Sequence, residues 1–495
     1  YDHKKVGITA KGAWECTLLH FKELGLNPDK TPVSAIGVGD MSGDVFGNGF
    51  LLSKRINLVA AFNHIHIFID PTPNCQKSWQ ERNRLFKLKK STWKDYKSSA
   101  LSKGGGIFDR SAKAIPLSAE IQKLLNIKKK TLSGNDLIQA ILKLPVDYLW
   151  LGGIGTYLKA SHESQFEVGD NANSSVRINT KDCKAKIISE GANLGVTALG
   201  RIEFHSELNG RINTDAIDNS AGVNMSDYEV NLKILCRQLQ EKKVLKSDAA
   251  RNKLLEEATD EVSDLVLENN RKQHQLISID EIRSKADKKP FLNFIQKLSD
   301  SNKLNLEDEH IPKLSDLLAL STNQGLPRSI LAILQAYAKM VVSKELERSS
   351  IVSKPFFNSL FINYFPQKIR KKFEKELLSH PLRKEITCML ITNHIVNHTG
   401  ITSIHQLQDS CNQSIETIIT TYFIADFLID GQSSRAQVLS SSLPASDQYK
   451  ALLLIEDVLL NICRDLLQEK FIGLITFDNI AKFKEIASSL DNYAK

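Results

Sequence analysis

The chain has 495 residues, 42% of them hydrophobic and 25% charged, which suits a globular protein of about two to four domains and excludes a disordered or fibrous one. Its net charge of +8 is the small difference between 65 basic and 57 acidic residues, and clusters such as Lys128-Lys129-Lys130 and Arg370-Lys371-Lys372 carry no interleaved aromatics. They read as solvated helix faces rather than as a nucleic-acid surface.

The chain opens on Tyr1-Asp2-His3-Lys4-Lys5, with no initiator methionine and no signal peptide, and so reads as the interior of a longer polypeptide. No apolar run reaches the roughly 18 residues that span a bilayer, and the longest candidate, 451–460, is cut by Glu456 and Asp457. The seven cysteines form no CxxC pair, so neither a disulfide framework nor a zinc site is expected. A reducing cytoplasm fits.

The first half alternates short β-rich runs with glycine clusters and helical stretches. Val33–Val38 reads as a strand, followed by Gly37, Gly39 and Gly43 in GVGDMSG and then by an amphipathic stretch. A strand that delivers a glycine turn to a helix N-terminus suits a pyrophosphate, because glycine permits close backbone approach and the helix end presents N–H groups. The spacing is GxGxxxG rather than GxGxxG, and a glycine turn without a ligand fits the pattern equally. His64–Ile69 reads as the second strand and ends in Asp70, 33 residues past Gly37. An acid there would meet the adenosine ribose and disfavour a 2′-phosphate; the alternative is a surface aspartate before the turn at Pro71. His64 and His66 share a strand face and, with no third ligand, read as packed histidines.

Further strands are expected at Tyr148–Leu151, before Gly152-Gly153, at Lys186–Ser189 and at Gly210–Asn213. Strands separated by helices imply a parallel sheet with crossover helices. From about residue 236 glycine nearly vanishes and helical periodicity takes over, in Leu254–Asn269, Pro327–Leu346, Pro366–Ser379 and Tyr449–Glu469. Ser321–Pro327 reads as an inter-helix connection. The expected fold is therefore α/β, a Rossmann-like doubly wound parallel sheet over 1–235, followed by an all-α C-terminal region over 236–495.

Glu190-Gly191-Ala192-Asn193 and Asn219-Ser220-Ala221-Gly222-Val223 resemble the EGAN and NAGGV segments of glutamate dehydrogenases, in the same order. The longer strings IGVGDMSGDVFGNGFLLS, AAFNHIHIFIDP, SKGGGIFDRSAKAIPLS and EGANLGVTALGRIEF are similar to the large bacterial NAD-specific class, and NQGLPRS, NYFP and HPLRKEI continue the likeness into the helical half. The resemblance implies an enzyme that oxidatively deaminates L-glutamate to 2-oxoglutarate and ammonia with NAD, as a cytoplasmic homo-oligomer without metal. It implies that Gly37, Gly39 and Gly43 cradle the pyrophosphate and Asp70 the adenosine ribose. Asn193 would meet the nicotinamide-side ribose, Asn219 the carboxamide, and Gly152-Gly153 would line that wall.

Ser226 keeps the family offset of the serine that meets the substrate's side-chain carboxylate. It also reads as an N-cap of the run Asp227–Leu235, with Glu229 completing a capping box. Lys103 in SKGGG echoes a glycine-flanked catalytic lysine, but its place after the second strand reads as a structural turn. The family's catalytic lysine and proton-transferring aspartate belong to a preceding substrate domain. The resemblance thus implies no catalytic residue in this chain and no turnover by it alone. Two rival readings are a dehydrogenase for another amino acid and a non-catalytic NAD-binding or regulatory protein.

Overall fold

The computed structural model describes residues 1–320, 324–468 and 476–479, which divide into two compact units. The first comprises residues 1–228, 263–274 and 327–332. It is built on six strands: β1 (Val33–Val38), β2 (Ile56–Phe62), β3 (His66–Ile69), β4 (Gly106–Asp109), β5 (Tyr148–Leu151) and β6 (Ile187–Glu190). Their order in the sheet is β6-β5-β1-β2-β3-β4.

The first four of that order are mutually parallel, with Val38 level with Phe62 on one side and Leu151 on the other, and Leu151 level with Glu190. The last two are not. β3 runs antiparallel to β2 and β4 antiparallel to β3. The expected parallel sheet is therefore a mixed one. The cause is local: three residues separate β2 from β3, whereas a parallel pair needs a crossover of about a dozen or more. Asn63 makes the turn, its Oδ1 accepting the N–H groups of Ile65 at 2.8 Å and His66 at 2.7 Å.

Alternate residues along the parallel strands feed opposite faces of the sheet, the period-2 geometry of extended chain, with one slip of register on β2 between Leu58 and Ala60 that switches its faces. Ala35, Leu58, Tyr148 and Trp150 pack with Trp14, Phe21, Phe46, Phe50 and Trp93 on one side. Ile36, Phe62, Leu149 and Ile188 pack with Ile121, Leu137, Ile141 and Phe204 on the other. Ile56–Phe62 is buried along almost its whole length, which explains its continuous apolar sequence. Gly210–Asn213, expected as a strand, makes only an isolated bridge between Arg211 and Ile187.

The second unit comprises residues 229–262, 275–326 and 333–495. Its described residues are helical, and the helix Ala445–Leu466 packs beside Ile415–Leu428 and Gly431–Ser440. Buried Arg435 joins them, donating to Glu456 at 2.6 Å and lying 2.8 Å from Asp426. The expected boundary at 235 falls inside one unbroken helix, Ser220–Glu241. Ser321, Thr322 and Asn323 of the expected connection lie outside the described residues; Pro327 directly precedes the helix Arg328–Glu347. No helix among the described residues is long and apolar enough to cross a membrane. All seven cysteines are free.

Candidate functional site

After β1 the chain moves to β2 on one side and later returns to β5 on the other, so the loops after β1 and β5 part at a switch point of the sheet. Open sheets of this kind bind ligands there, beyond the carboxyl ends of the strands. The two loops are knitted together at that point. Gly152 N donates to Val38 O at 3.0 Å, and a Cβ on Gly153 would stand 3.4 Å from Gly39 Cα.

Gly39 has φ 134°, outside the range of other residues, and its N–H donates to Phe62 O at 2.7 Å. A Cβ on Gly39 would come within 2.6 Å of the Phe46 ring, and one on Gly37 within 2.6 Å of the Phe50 ring. Aromatic packing thus accounts for both glycines before any ligand is considered. Gly43 precedes the short helix Asp44–Gly49, and Asp40 Oδ1 accepts its N–H at 3.3 Å.

A cavity of about 620 Å³ opens on this edge. Thr9 and Val45 contribute to it, as do Ile154, Gly155, Thr156 and Asp170 from the segment after β5, and Gly191 to Leu194 from the loop after β6. Asn219, Gly222 and Val223 complete the wall. Of the residues expected from the sequence, the cavity brings together Asn193 and Asn219, and Asn219 Nδ2 donates to Asn193 Oδ1. Gly37, Gly39, Gly43, Gly152 and Gly153 lie beside the cavity rather than in its lining.

The Asn193 loop is fixed from beneath. Glu190 is fully buried and accepts two bonds from Arg201, Nε to Oε2 at 2.7 Å and Nη2 to Oε1 at 2.9 Å. The same Oε1 accepts Val196 N at 3.1 Å, and Asp215 Oδ2 accepts Leu194 N at 2.8 Å. Asp218, also fully buried, accepts Glu190 N at 2.9 Å and Asn213 Nδ2 at 2.9 Å. Burial pushes its carboxyl up to about 7 despite those donors. Gly191 is a tight point: a Cβ there would stand 2.3 Å from the Trp150 ring and 2.6 Å from Val45. Gly191→Ala is expected to cost about 1–3 kcal/mol of stability by overpacking, read as a lowered Tm. An unchanged Tm would mean that Trp150 has room to move.

Five other positions singled out in the sequence lie outside this lining. Asp70 follows antiparallel β3, and its N–H donates to Val59 O at 2.8 Å, so it lies about 10 Å back from the carboxyl edge. It is fully buried and bonded by Ser102 N at 3.0 Å and by the Ser102 hydroxyl. This corrects the ribose assignment, which took β3 for the second parallel strand. Lys103 projects into solvent, 91% exposed and 3.4 Å from Glu120. His64 is exposed in the β2–β3 turn while His66 is buried, so the two share no strand face. Ser226 is no cap, because its helix begins at Ser220; its hydroxyl donates to Gly222 O at 3.3 Å, one turn beyond the cavity wall.

Among the described residues His20, Glu23 and His274 stand close enough to share a metal ion. The cluster is already neutralised. Glu23 pairs with Arg211, and Arg328 Nη2 lies 3.3 Å from His274 Nε2, so a cation would enter against two guanidinium groups.

Comparison with known families fixes what this scaffold is. The family described as bacterial NAD-glutamate dehydrogenase, catalytic domain, matches residues 1–280. The chain belongs to the bacterial NAD-glutamate dehydrogenase family. The glutamate dehydrogenase C-terminal family matches residues 323–495. A relative from Halomonas elongata, named NAD-specific glutamate dehydrogenase, is 40% identical over all of this chain. Relatives of the same name from Mycobacterium tuberculosis and Pseudomonas aeruginosa are 42% identical over 90% and 86% of it. The chain spans 31%, 28% and 26% of the lengths of these three, so it corresponds to less than a third of each glutamate dehydrogenase.

The lining residues that sequence reasoning missed in this family member include Thr156 and Asp170. They occupy loops with no motif of their own. Asn63 was missed for another reason: the signal was the run INLVAAF before it, whose lack of alternation hid β2.

Proposed function

We propose that the chain supplies the NAD site and one wall of the substrate cleft in an NAD-dependent glutamate dehydrogenase. The observation that carries this reading is the Asn193–Asn219 amide pair in the wall of a cavity at the switch point of the parallel strands. Two side-chain amides offer the donors and acceptors that a carboxamide and a ribose need. Apolar Val45, Ile154, Leu194 and Val223 in the same lining suit a flat ring. The strand order supports a Rossmann-like dinucleotide platform whose far edge has been reversed. NAD, when bound, supplies the hydride acceptor.

In this reading Asn219 holds the carboxamide and Asn193 the adjacent ribose, while Gly39 and Gly153 let the backbone approach the pyrophosphate. The net reaction takes L-glutamate to 2-oxoglutarate and ammonia. Ser226, one helical turn past Gly222, turns its hydroxyl from Gly222 O to the γ-carboxylate and sets the choice of glutamate over an apolar amino acid. No lysine is among the described residues that line the cavity, and proton transfer is assigned to residues outside it.

The test is Ser226→Ala in an active preparation of the protein. Losing a hydrogen bond to a charged group costs about 1.5–3 kcal/mol, which is roughly ten- to a hundredfold in kcat/KM for glutamate. NAD affinity should stay unchanged, because the amide pair lies on other loops. A normal kcat/KM would remove Ser226 from the substrate site and reopen the choice of amino acid.

A further inference from the structure

The reversed edge of the sheet leaves a question of chemistry at its corner. In a dinucleotide platform the carboxylate that selects a ribose 2′-hydroxyl stands at the carboxyl end of the second parallel strand, beside the second glycine. Here that strand is β2, and it ends in Phe62 and Asn63. The Asn63 side chain is buried and used at both ends: Oδ1 accepts two backbone N–H groups, and Nδ2 donates to Asp40 Oδ2 at 2.8 Å. A carboxylate does stand at the corner, but it comes from the glycine loop.

We infer that Asp40 faces the adenosine ribose and selects NAD over NADP, with Asn63 as the residue that positions it. The inference rests on the dinucleotide reading proposed above. The extra residue in the GxGxxxG loop has a purpose in this arrangement, because it lets Asp40 fold back over the loop. Its Oδ1 accepts Ser42 N at 2.9 Å, Ser42 Oγ at 2.6 Å and Gly43 N at 3.3 Å. Its Oδ2 accepts only from Asn63 among the described bonds, and the side chain is half-buried, so an acceptor site remains on the exposed side. Burial alone would raise the carboxyl, yet the donors from Ser42, Asn63 and Gly43 hold it below the ordinary aspartate value, so it is an anion at neutral pH.

An anion there accepts a bond from a 2′-hydroxyl and repels a 2′-phosphate. The neighbouring cation is Arg110, whose Nη1 donates to Asn63 O at 3.1 Å and Nη2 to Asn173 Oδ1 at 3.4 Å. It is tied to neutral oxygens, and it is the group that would welcome a 2′-phosphate once Asp40 is removed.

The experiment is calorimetric titration of the purified protein with NAD and with NADP, for the wild type, Asp40→Ser, Asp40→Asn and Asp70→Asn. Asp40→Asn keeps an acceptor for Ser42 and Gly43 and removes the charge, so it decides the matter if serine loosens the loop. The wild type should prefer NAD. Both Asp40 variants should shift the NAD-to-NADP affinity ratio toward NADP by about ten- to a hundredfold, while Asp70→Asn leaves the ratio unchanged. Adding Arg110→Ala to Asp40→Asn should take away the gain in NADP affinity. An equal loss for both cofactors in the Asp40 variants would make Asp40 a loop brace and overturn the inference, as would a ratio that follows Asp70. A wild type that binds neither nucleotide would overturn the dinucleotide reading itself.

Discussion

Arg201→Ala is expected to destabilise the first unit by about 3–5 kcal/mol at neutral pH, because it strands a buried carboxylate. Glu190 has no exposed surface, and Arg201 supplies two of its bonds while also lying 3.2 Å from Asp215. Burial already holds Glu190 above the ordinary range even with the guanidinium in place. Without Arg201 its folded pKa climbs further above the unfolded value. The folded state then keeps a proton that the wild-type fold releases, so the variant's deficit grows as pH rises past the wild type's own, already raised, Glu190 pKa. Urea unfolding at pH 5 and pH 8 reads this directly: the gap to wild type should be larger at pH 8. An equal gap at both would mean that lost packing, not stranded charge, sets the cost. Glu190 also anchors Val196 N, so in the site proposed above NAD binding should weaken in the same variant.

How much of this was legible in the sequence follows from range. The strands Val33–Val38 and Tyr148–Leu151 announced themselves because short apolar runs between glycine turns are local signals, and both stand where expected. The long helices were equally plain from their periodicity. The direction of β3 was not, because one asparagine decides it: Asn63 closes a three-residue turn by bonding Ile65 and His66, and nothing in the run HIHIFID distinguishes a strand that goes up from one that comes back. That single turn sets Asp70 level with Val59, about 10 Å back from the carboxyl edge. Asn193 and Asn219, 26 positions apart, could be paired in advance only through a family string, and their contact depends on Glu190 and Asp215 holding the intervening loop. Ser226 read as a cap because its neighbours suit one; the helix starts six residues earlier, at Ser220.

The second large effect expected is a loss of stability on mild acidification that comes from His274. Asn213 Oδ1 takes both the Nε and Nη2 donors of Arg328, so its Nδ2 must supply the bonds to Asp218 at 2.9 Å and to His274 Nδ1 at 3.1 Å. His274 Nδ1 is therefore an acceptor, and its Nε2 carries the proton toward Glu23 Oε1 at 3.2 Å. A second proton on Nδ1 would face a donor. Burial, opposed by Glu23 and reinforced by Arg328 and Arg211, brings the imidazole from 6.5 down to about 4, and burial next to His274 pushes His20 down as well. The unfolded chain takes up a proton at His274 as pH falls through about 6.5, while the folded chain does not until about 4. For His274 stability is lost across that window at about 1.4 kcal/mol per pH unit, or about 2 kcal/mol between pH 7 and pH 5. His274→Gln retains one acceptor and one donor and cannot titrate. Its unfolding free energy should fall by about 2 kcal/mol less than the wild type's over the same interval, whatever its value at pH 7. Parallel pH profiles for the two proteins would mean that His274 is charged in the fold and that the Asn213 network is wired the other way round.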